Sequence, residues 1–244
     1  MIGRLMTLIG SMAFLWITGV MGCSETSLPV PVAPAPTPTN SPAQYWQEAI
    51  NSLRFSRTVS FHLTHEVGGT DIGSGIVIAD AWGKVEFPDR FSLEATGSLP
   101  GLKIILDIAI IRQGDQVFFR DPLSGAWREV DLGILPFRFG SLNETIPDAL
   151  KLSKNIKFTS IEKVQGVTMY SLVAEANSST FRGLIPNVID NGSIIIEIDI
   201  DTQNYRIKVI RLKGRLIESD SNDVIRVLEF YDFDKPVTIE DPSE

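Results

Sequence analysis

Hydrophobic and polar residues alternate along most of this chain with the period of two that is typical of β-strands. From Leu102 to Ile110 every second residue is Leu or Ile, with a lysine and an aspartate among the residues between them. In the segment 194–200 every second residue is isoleucine, and two of the residues between are acidic. One face of the predicted sheet is therefore consistently apolar.

Ten segments are rich in Val, Ile, Phe and Thr and are separated by Gly, Asp and Asn turns. We predict strands at residues 58–67, 73–81, 90–97, 102–112, 115–121, 156–164, 167–176, 192–200, 205–217 and 223–233. Hairpin turns are predicted at residues 113–115, 165–166 and 201–204. Long consecutive strands that are joined by hairpins indicate an antiparallel sheet.

Few segments have the period of a helix. Between residues 45 and 53 the apolar side chains share one helical face, which predicts a helix that opens the folded domain. The preceding Ser41 and Pro42 fit the cap and the first turn of this helix. A second short helix is predicted at 146–152 and a helical turn at 181–188.

These few helices leave most of the apolar sheet face without an obvious cover. Either the sheet curls and packs on its own side chains, or it leaves an apolar cavity. The alternation itself is compatible with both arrangements, because a filled core and a cavity wall need the same apolar face.

The single cysteine of the chain, Cys23, ends the sequence Val20-Met21-Gly22-Cys23, which has the pattern of a bacterial lipobox. Arg4 and a long apolar stretch precede it, as in a secretory signal. We expect cleavage before Cys23 and attachment of diacylglycerol to its thiol, which would anchor the protein to a membrane. The alternatives are an uncleaved anchor and an ordinary secretory signal. One cysteine cannot form an intrachain disulfide or a cysteine-based zinc site.

Three regions are predicted: a lipoprotein signal peptide at 1–22, the lipidated cysteine with a proline-rich tether at 23–43, and one folded domain at 44–244. The tether contains prolines at 29, 31, 34, 36, 38 and 42, which favour an extended chain that cannot build a core. The remaining chain, about 200 residues, is long enough for one sizeable domain.

The formal net charge is −8, and it becomes −9 without the signal peptide, whose only charged side chain is Arg4. This acidic balance argues against nucleic acid as a partner. The two histidines, His62 and His65, would point to opposite faces of one strand, which argues against a metal site. The sequence contains no nucleophile elbow, P-loop, GxGxxG or HExxH motif. We therefore expect neither an enzyme nor a bound cofactor or metal.

Two passages of the chain carry a family resemblance. Residues 108–119, with the sequence IAIIRQGDQVFF, form an apolar strand, a turn and a second strand, and Trp127 follows. Residues 228–239, with the sequence LEFYDFDKPVTI, precede a terminal Asp241-Pro242. Together with the lipobox, the tether and the first helix, this order resembles that of the LppX/LprAFG lipoproteins known from mycobacteria. The resemblance covers nearly the whole mature chain.

The resemblance implies an α+β, LolA-like fold, in which a strongly curved antiparallel β-sheet (a half-barrel) carries a few helices on its concave side that enclose an apolar cavity. Members of this family bind acylated lipids or glycolipids and are implicated in carrying them across the cell envelope. The implied location is extracytoplasmic, at the cell membrane through the N-terminal lipid.

The implied partners are an acylated lipid or glycolipid, the membrane through Cys23 and, as a further candidate, an envelope transporter. The alternative is a non-carrier envelope lipoprotein with the same fold and a filled core, which acts as a protein-interaction or signalling module.

The resemblance implies no catalytic residue, so the ligand-binding residues are assigned only by the apolar face of each strand. The expected cavity lining is Phe61, Leu63, Ile76, Ile78, Leu102, Ile104, Leu106, Ile108, Ile194, Ile196 and Ile198. Residues in irregular stretches with Gly and Pro are expected to form the entrance, namely Phe137, Phe139, Phe181, Leu184 and Ile185. For each single residue, ordinary core packing is the alternative to ligand contact.

Overall fold

The computed structural model describes residues 38–72, 75–99, 101–131, 142–164, 166–185 and 187–242. Its helices are α1 (Pro42–Arg54), α2 (Leu142–Lys151) and a short 3-10 helix (Ser178–Phe181). Its strands are β1 (Thr58–Val67), β2 (Thr70–Asp71), β3 (Val77–Glu86), β4 (Arg90–Leu99), β5 (Ile104–Gln113), β6 (Gln116–Arg120), β7 (Trp127–Val130), β8 (Lys154–Val164), β9 (Val167–Asn177), β10 (Ser193–Asp201), β11 (Ile207–Lys213) and β12 (Ile225–Tyr231).

The strands form one open, curved, antiparallel sheet of 12 strands within the described residues. The order across the sheet is β7-β6-β5-β4-β3-β1-β12-β11-β10-β9-β8, and β2 pairs with β3 beside this path. Hairpin-connected strands thus build two halves, β3 to β7 and β8 to β12. The first and last strands, β1 and β12, pair with each other and join these halves at the centre of the sheet.

The predicted first helix and its cap are confirmed. The Ser41 hydroxyl accepts a hydrogen bond from the Gln44 backbone N–H at 3.3 Å, and the Gln44 side chain accepts one from the Ser41 N–H at 2.8 Å. These reciprocal bonds form a capping box, which satisfies backbone donors that the helix itself leaves free. Pro42 occupies the first turn, where a missing N–H costs nothing.

Several predicted boundaries were wrong. The strand predicted at 73–81 corresponds to β3, which begins at Val77 and continues to Glu86. The chain before it forms β2, which pairs with the start of β3, and the backbone N–H of Ile72 bonds to the carbonyl of Ile76 at 2.9 Å. The predicted strand at 205–217 ends early at Lys213, because Gly214 takes a positive φ of 128° and turns the chain. Helix α2 starts four residues before the predicted 146, and β7 was not predicted.

Helix α1 covers the β8 to β11 half of the sheet. It contacts α2, β8 and β11, so it lies across the strands between β8 and β11 as well. Trp46 is buried and its indole N–H donates a hydrogen bond of 2.9 Å to the Leu150 carbonyl at the end of α2. This bond satisfies one of the last carbonyls of α2 and fixes the two helices to each other.

A buried ion pair ties the start of β12 to the turn that precedes it. Arg226 Nη2 lies 2.6 Å from Asp220 Oδ1, and the two side chains are only 6% and 2% exposed. The other carboxylate oxygen, Oδ2, accepts hydrogen bonds from the backbone N–H groups of Leu216 (2.8 Å) and Ile217 (3.1 Å). Asp220 is therefore held by three donors, as a buried carboxylate requires.

The ion pair continues into a chain of hydrogen bonds that reaches β1. Arg226 Nε donates to the Thr70 hydroxyl at 2.8 Å, and His65 Nε2 lies 2.8 Å from the same hydroxyl. His65 Nδ1 lies 2.9 Å from the Ala79 carbonyl, which can only accept, so Nδ1 carries the proton. In neutral His65 the Nε2 atom then accepts from the Thr70 hydroxyl. Burial, together with the nearby Arg226 charge, lowers the pKa of His65.

This lowered pKa predicts a loss of stability in mild acid. The unfolded chain binds a proton at His65 near the usual pKa of about 6.5, whereas the folded protein resists protonation until a lower pH. The contribution to the free energy of unfolding is therefore complete above about pH 6.5 and is lost as the pH falls through the folded pKa. Urea unfolding between pH 5 and 8 checks this. The free energy of unfolding should change less with pH in this window in His65→Gln than in the parent. An equal pH dependence in the two proteins would contradict the assignment of this effect to His65.

Candidate functional site

A cavity of about 260 Å³ lies between the sheet, α2 and the segment that follows β9. It is lined by side chains from both halves of the sheet, from the loops at its edge and from the elements that cover it. These residues are Phe61, Leu63, Thr70, Ile72, Ile76, Ile78, Ala81, Leu93, Ala95, Ile108, Ile110, Phe119, Val130, Leu142, Ile146, Phe181, Leu184, Ile185, Leu212, Leu216, Arg226, Leu228 and Phe230.

The sheet wall of the cavity follows from strand alternation and register. In β4 the buried positions alternate with less buried ones, so that Leu93 and Ala95 face inward. The pairing of β4 with β5 places Leu93 opposite Ile110 and Ala95 opposite Ile108. All four side chains border the cavity as two cross-strand pairs. The antiparallel register thus extends the apolar face of one strand across its neighbour.

Small residues leave the space that the cavity occupies. Ala81 and Ala95 border the cavity where larger side chains would fill it. At Gly83 an added Cβ would lie only 2.3 Å from Cζ of Phe61. Glycine at this position therefore allows the Phe61 ring to lie against β3, where the ring forms part of the cavity wall.

The cover of the cavity has two parts. Helix α2 contributes Leu142 and Ile146, and the segment after β9 contributes Phe181, Leu184 and Ile185. The second part is a tight turn, because the backbone N–H groups of residues 184 and 185 both bond to the carbonyl of residue 181 at 2.9 Å.

The turn is fixed at its start by Ser178, which is fully buried. The Ser178 hydroxyl donates to the Ile189 carbonyl at 2.6 Å and accepts from the Gly192 N–H at 2.9 Å. These two bonds close the loop between β9 and β10 on itself. The loop therefore presents its apolar residues to the cavity from a defined base.

The cavity is almost entirely apolar. Among the described residues that line it, Thr70 and Arg226 alone have polar side chains. Arg226 has the same strand phase as Leu228 and Phe230, so it occupies a position where an apolar residue is expected. Its charge is matched by Asp220 at 2.6 Å. Such a cavity can hold an apolar group and offers one place for a polar one.

About half of the residues expected to bind ligand border this cavity. They are Phe61, Leu63, Ile76, Ile78, Ile108, Phe181, Leu184 and Ile185. The structure therefore brings together residues from four separated segments of the chain. Ligand contact at these positions stays a prediction.

The three isoleucines of β10 do not border the cavity. Ile194, Ile196 and Ile198 are fully buried and belong to the core. They lie in the half of the sheet that α1 covers, and they belong to the same buried cluster as the apolar face of that helix. Their apolar face was predicted correctly, but this half of the sheet has a packed core in place of a cavity.

The first residues of β5 are also placed away from the cavity. Leu102 is 68% exposed and Ile104 is 43% exposed, since the tip of the β4–β5 hairpin extends beyond the covered part of the sheet. Leu106 is partly buried against the core without bordering the cavity. The remaining expected residues, Phe137, Phe139 and the lipidation site Cys23, lie outside the described residues.

Several lining residues were missed by the sequence analysis. In β4 and β12 the signal was available, because Leu93 and Ala95, and likewise Leu228 and Phe230, alternate in sequence as a strand face does. Arg226 could have been found as the one charged residue in phase with such a face. The contributions of α2 had no comparable signal, since a helix face does not indicate which part of a sheet it covers.

The described ranges contain no group of three or more His, Cys, Asp or Glu side chains that could hold a metal ion. His62 lies on the face of β1 that points away from the cavity. Its ring stacks on the Trp82 ring at a centroid distance of 4.5 Å, and its Nε2 lies 3.0 Å from Asp80 Oδ2. Within the residues that the structure describes, no helix is both long enough and apolar enough to cross a membrane.

No protein-family model and no curated protein matches the sequence. Solved structures do match the fold. LprF from Mycobacterium bovis aligns with a TM-score of 0.65 at 11% identity, over 86% of this chain and 99% of LprF. The lipoprotein LppX from Mycobacterium tuberculosis aligns with a TM-score of 0.54 at 14% identity, over 82% of this chain and 100% of LppX.

At such low identity the likeness establishes the fold alone. It agrees with the curved antiparallel sheet and the two helices observed here, and with the resemblance seen in the sequence. The chain therefore has the LolA-like fold of LprF and LppX.

Proposed function

We propose that this protein is an extracytoplasmic lipoprotein, anchored to the cell membrane through Cys23, that binds an acylated lipid or glycolipid in its cavity and transfers it between membranes or to an envelope transporter. The observation that carries the proposal is the apolar cavity between the sheet and its cover. The fold shared with LprF and the lipoprotein LppX supports it. The ligand-binding residues in this proposal are the residues that line the cavity.

The hydrophobic effect supplies the driving force. Each methylene group that leaves water contributes about 0.8 kcal/mol, from which the cost of ordering the chain must be subtracted. The cavity walls offer almost no hydrogen bonds to water, so water is a poor occupant. An acyl chain satisfies this surface without needing polar partners along its length.

The cavity size limits what the protein can hold in this conformation. Its volume of about 260 Å³ exceeds that of an engineered apolar cavity of about 150 Å³ that binds benzene. It is slightly smaller than the sites of about 300–1,000 Å³ that enclose drug-sized ligands. The cavity therefore fits part of one acyl chain, and a lipid with several chains needs the cover to move outward.

The alternative of an interaction module required a filled core. The packed half under α1 fits that description, but the half under α2 does not, because its small residues leave the cavity open. This difference within one sheet favours ligand binding over a purely structural role.

Filling the cavity should weaken lipid binding. In the variant Ala95→Leu the added carbons displace about three methylene groups of a bound chain, which corresponds to about 2.4 kcal/mol or roughly 50-fold weaker binding. The measurement is a fluorescence titration with a polyene fatty-acyl ester as the probe. The protein is the mature chain with the substitution Cys23→Ser, so that it carries no lipid of its own. Native mass spectrometry gives the stoichiometry.

The matched control is Thr96→Leu, which also introduces a leucine but at the next residue of β4, whose side chain lies on the opposite face of the sheet. It should bind the probe as tightly as the parent. Circular dichroism and thermal unfolding verify that both variants are folded. Equal probe affinity in a folded Ala95→Leu variant would contradict the assignment of the cavity as the lipid site.

Replacing Cys23 should release the protein from the membrane. In a bacterial host fed an alkyne analogue of palmitate, the parent should be labelled and should sediment with membranes. Cys23→Ser should lose both the label and the membrane association, because the thiol that carries the lipid is gone. A Cys23→Ser protein that still sediments with membranes would favour an uncleaved anchor, and an unlabelled parent would contradict lipidation.

A further inference from the structure

Arg226 is a buried cation on the wall of an apolar cavity. Nε donates to Thr70 and Nη2 to Asp220, whereas buried Nη1 has no hydrogen-bond partner among the described residues. The residue is 5% exposed, so bulk water does not satisfy this nitrogen. Arg226 borders the cavity itself.

An unsatisfied nitrogen on a buried charged group is costly. Such a donor loses its hydrogen bonds to water and gains none in return, and the cost is larger on a charged group. Buried polar groups without partners are rare in folded proteins, and each of them needs a specific explanation. This cost would be absent if uncharged residues stood at both 226 and 220, and position 226 is in phase with the apolar Leu228 and Phe230.

The protein groups nearest to Arg226 are already engaged. The Thr70 hydroxyl accepts from Arg226 Nε and donates to His65. Asp220 Oδ1 accepts from Nη2, and Oδ2 is held by two backbone N–H groups. Among the described residues, this leaves the contents of the cavity as the source of an acceptor for Nη1.

We propose that Arg226 Nη1 donates a hydrogen bond to the uncharged carbonyl oxygen of an ester or amide linkage in the bound lipid. The end of the cavity next to Thr70 then holds the linkage, and the apolar remainder holds the acyl chain. The inference rests on the proposed function and adds the chemical group that the site selects. The protein would thereby distinguish acyl esters and amides from other apolar molecules of the same length.

The charge balance at Arg226 favours a neutral carbonyl over a carboxylate or phosphate. Asp220 already neutralises the guanidinium at 2.6 Å, and its own bonds to the backbone hold it in place. A second anion would enter a buried, apolar region without a cation to balance it, which costs far more than one hydrogen bond returns. A carbonyl oxygen accepts from Nη1 without adding charge.

A pair of ligands that differ only in the carbonyl oxygen tests the proposal. The probes are a monoacylglycerol and the alkylglycerol ether of equal chain length, and the protein is the mature chain with Cys23→Ser. We expect the ester to bind about 10- to 100-fold more tightly than the ether, the range for a hydrogen bond to a charged donor. The corresponding free fatty acid at pH 8 should bind more weakly than the ester.

The variant Arg226→Met/Asp220→Asn identifies the donor. Both residues are changed because Asp220 alone would be a buried charge without its partner. The ratio of ester to ether affinity should fall to about one, because the donor that distinguishes the two ligands is gone. The control Arg211→Met/Asp199→Asn removes an ion pair of 2.9 Å between β11 and β10 that does not border the cavity, and it should keep the ratio.

Infrared spectroscopy of a ¹³C-labelled ester carbonyl gives a second measurement. It is made on the parent protein, so it does not depend on whether a variant folds. The carbonyl band should move to lower wavenumber in the parent complex than in hydrocarbon solvent, because the oxygen accepts a hydrogen bond. A band at the hydrocarbon position would overturn the proposal.

The possible failures are distinguishable. Equal binding of ester and ether by the parent would overturn the role of Arg226 while the lipid-binding function stands. Tighter binding of the free fatty acid would overturn the preference for a neutral carbonyl. Failure of both ester and ether to bind would contradict the proposed function itself.

Discussion

The structure depends on one constraint, namely that the apolar face of the sheet is larger than its helices can cover. The path of strands from β7 to β8 spans about 48 Å at about 4.8 Å per strand. Helices α1 and α2, with 13 and 10 residues, are only about 20 and 15 Å long and about 10 Å thick. Curvature of the sheet brings parts of its apolar face together and so reduces the area that needs a cover. The cavity is the space on this face that side chains do not fill.

The pairing of β1 with β12 places the centre of the sheet at the wall of this cavity. Phe61 lies opposite Phe230 and Leu63 opposite Leu228, and all four side chains border the cavity. Towards the end of the same strand pair, Arg226 meets the polar chain that runs to His65. The two halves of the sheet therefore meet along an apolar wall, and this wall ends at the hydrogen bonds between Arg226, Thr70 and His65.

Much of the fold was accessible from sequence because its signals are local. The alternation predicted β1 with both of its ends, and the cap of α1 could be read from Ser41 and Pro42. The site was less accessible. Alternation shows which face of β10 is apolar, but long-range contacts, such as the bond from Trp46 to Leu150 and those of α1 with β8 and β11, fix where the helices lie and hence which half is filled. A bulge between Ile78 and Asp80 also shifts the phase of β3, which no local pattern indicates.

The walls and the cover of the cavity differ in how they are held. Each central strand is bonded on both sides along its length, so moving the wall would break ladders on two neighbours at once. The cover consists of a 10-residue helix that contains Pro147, which lacks a backbone donor, and a turn held at its base by Ser178. Elements with fewer hydrogen bonds to the rest of the protein open at lower free energy. We therefore expect a chain too long for the closed cavity to enter by displacing α2 and the turn, while the sheet keeps its register.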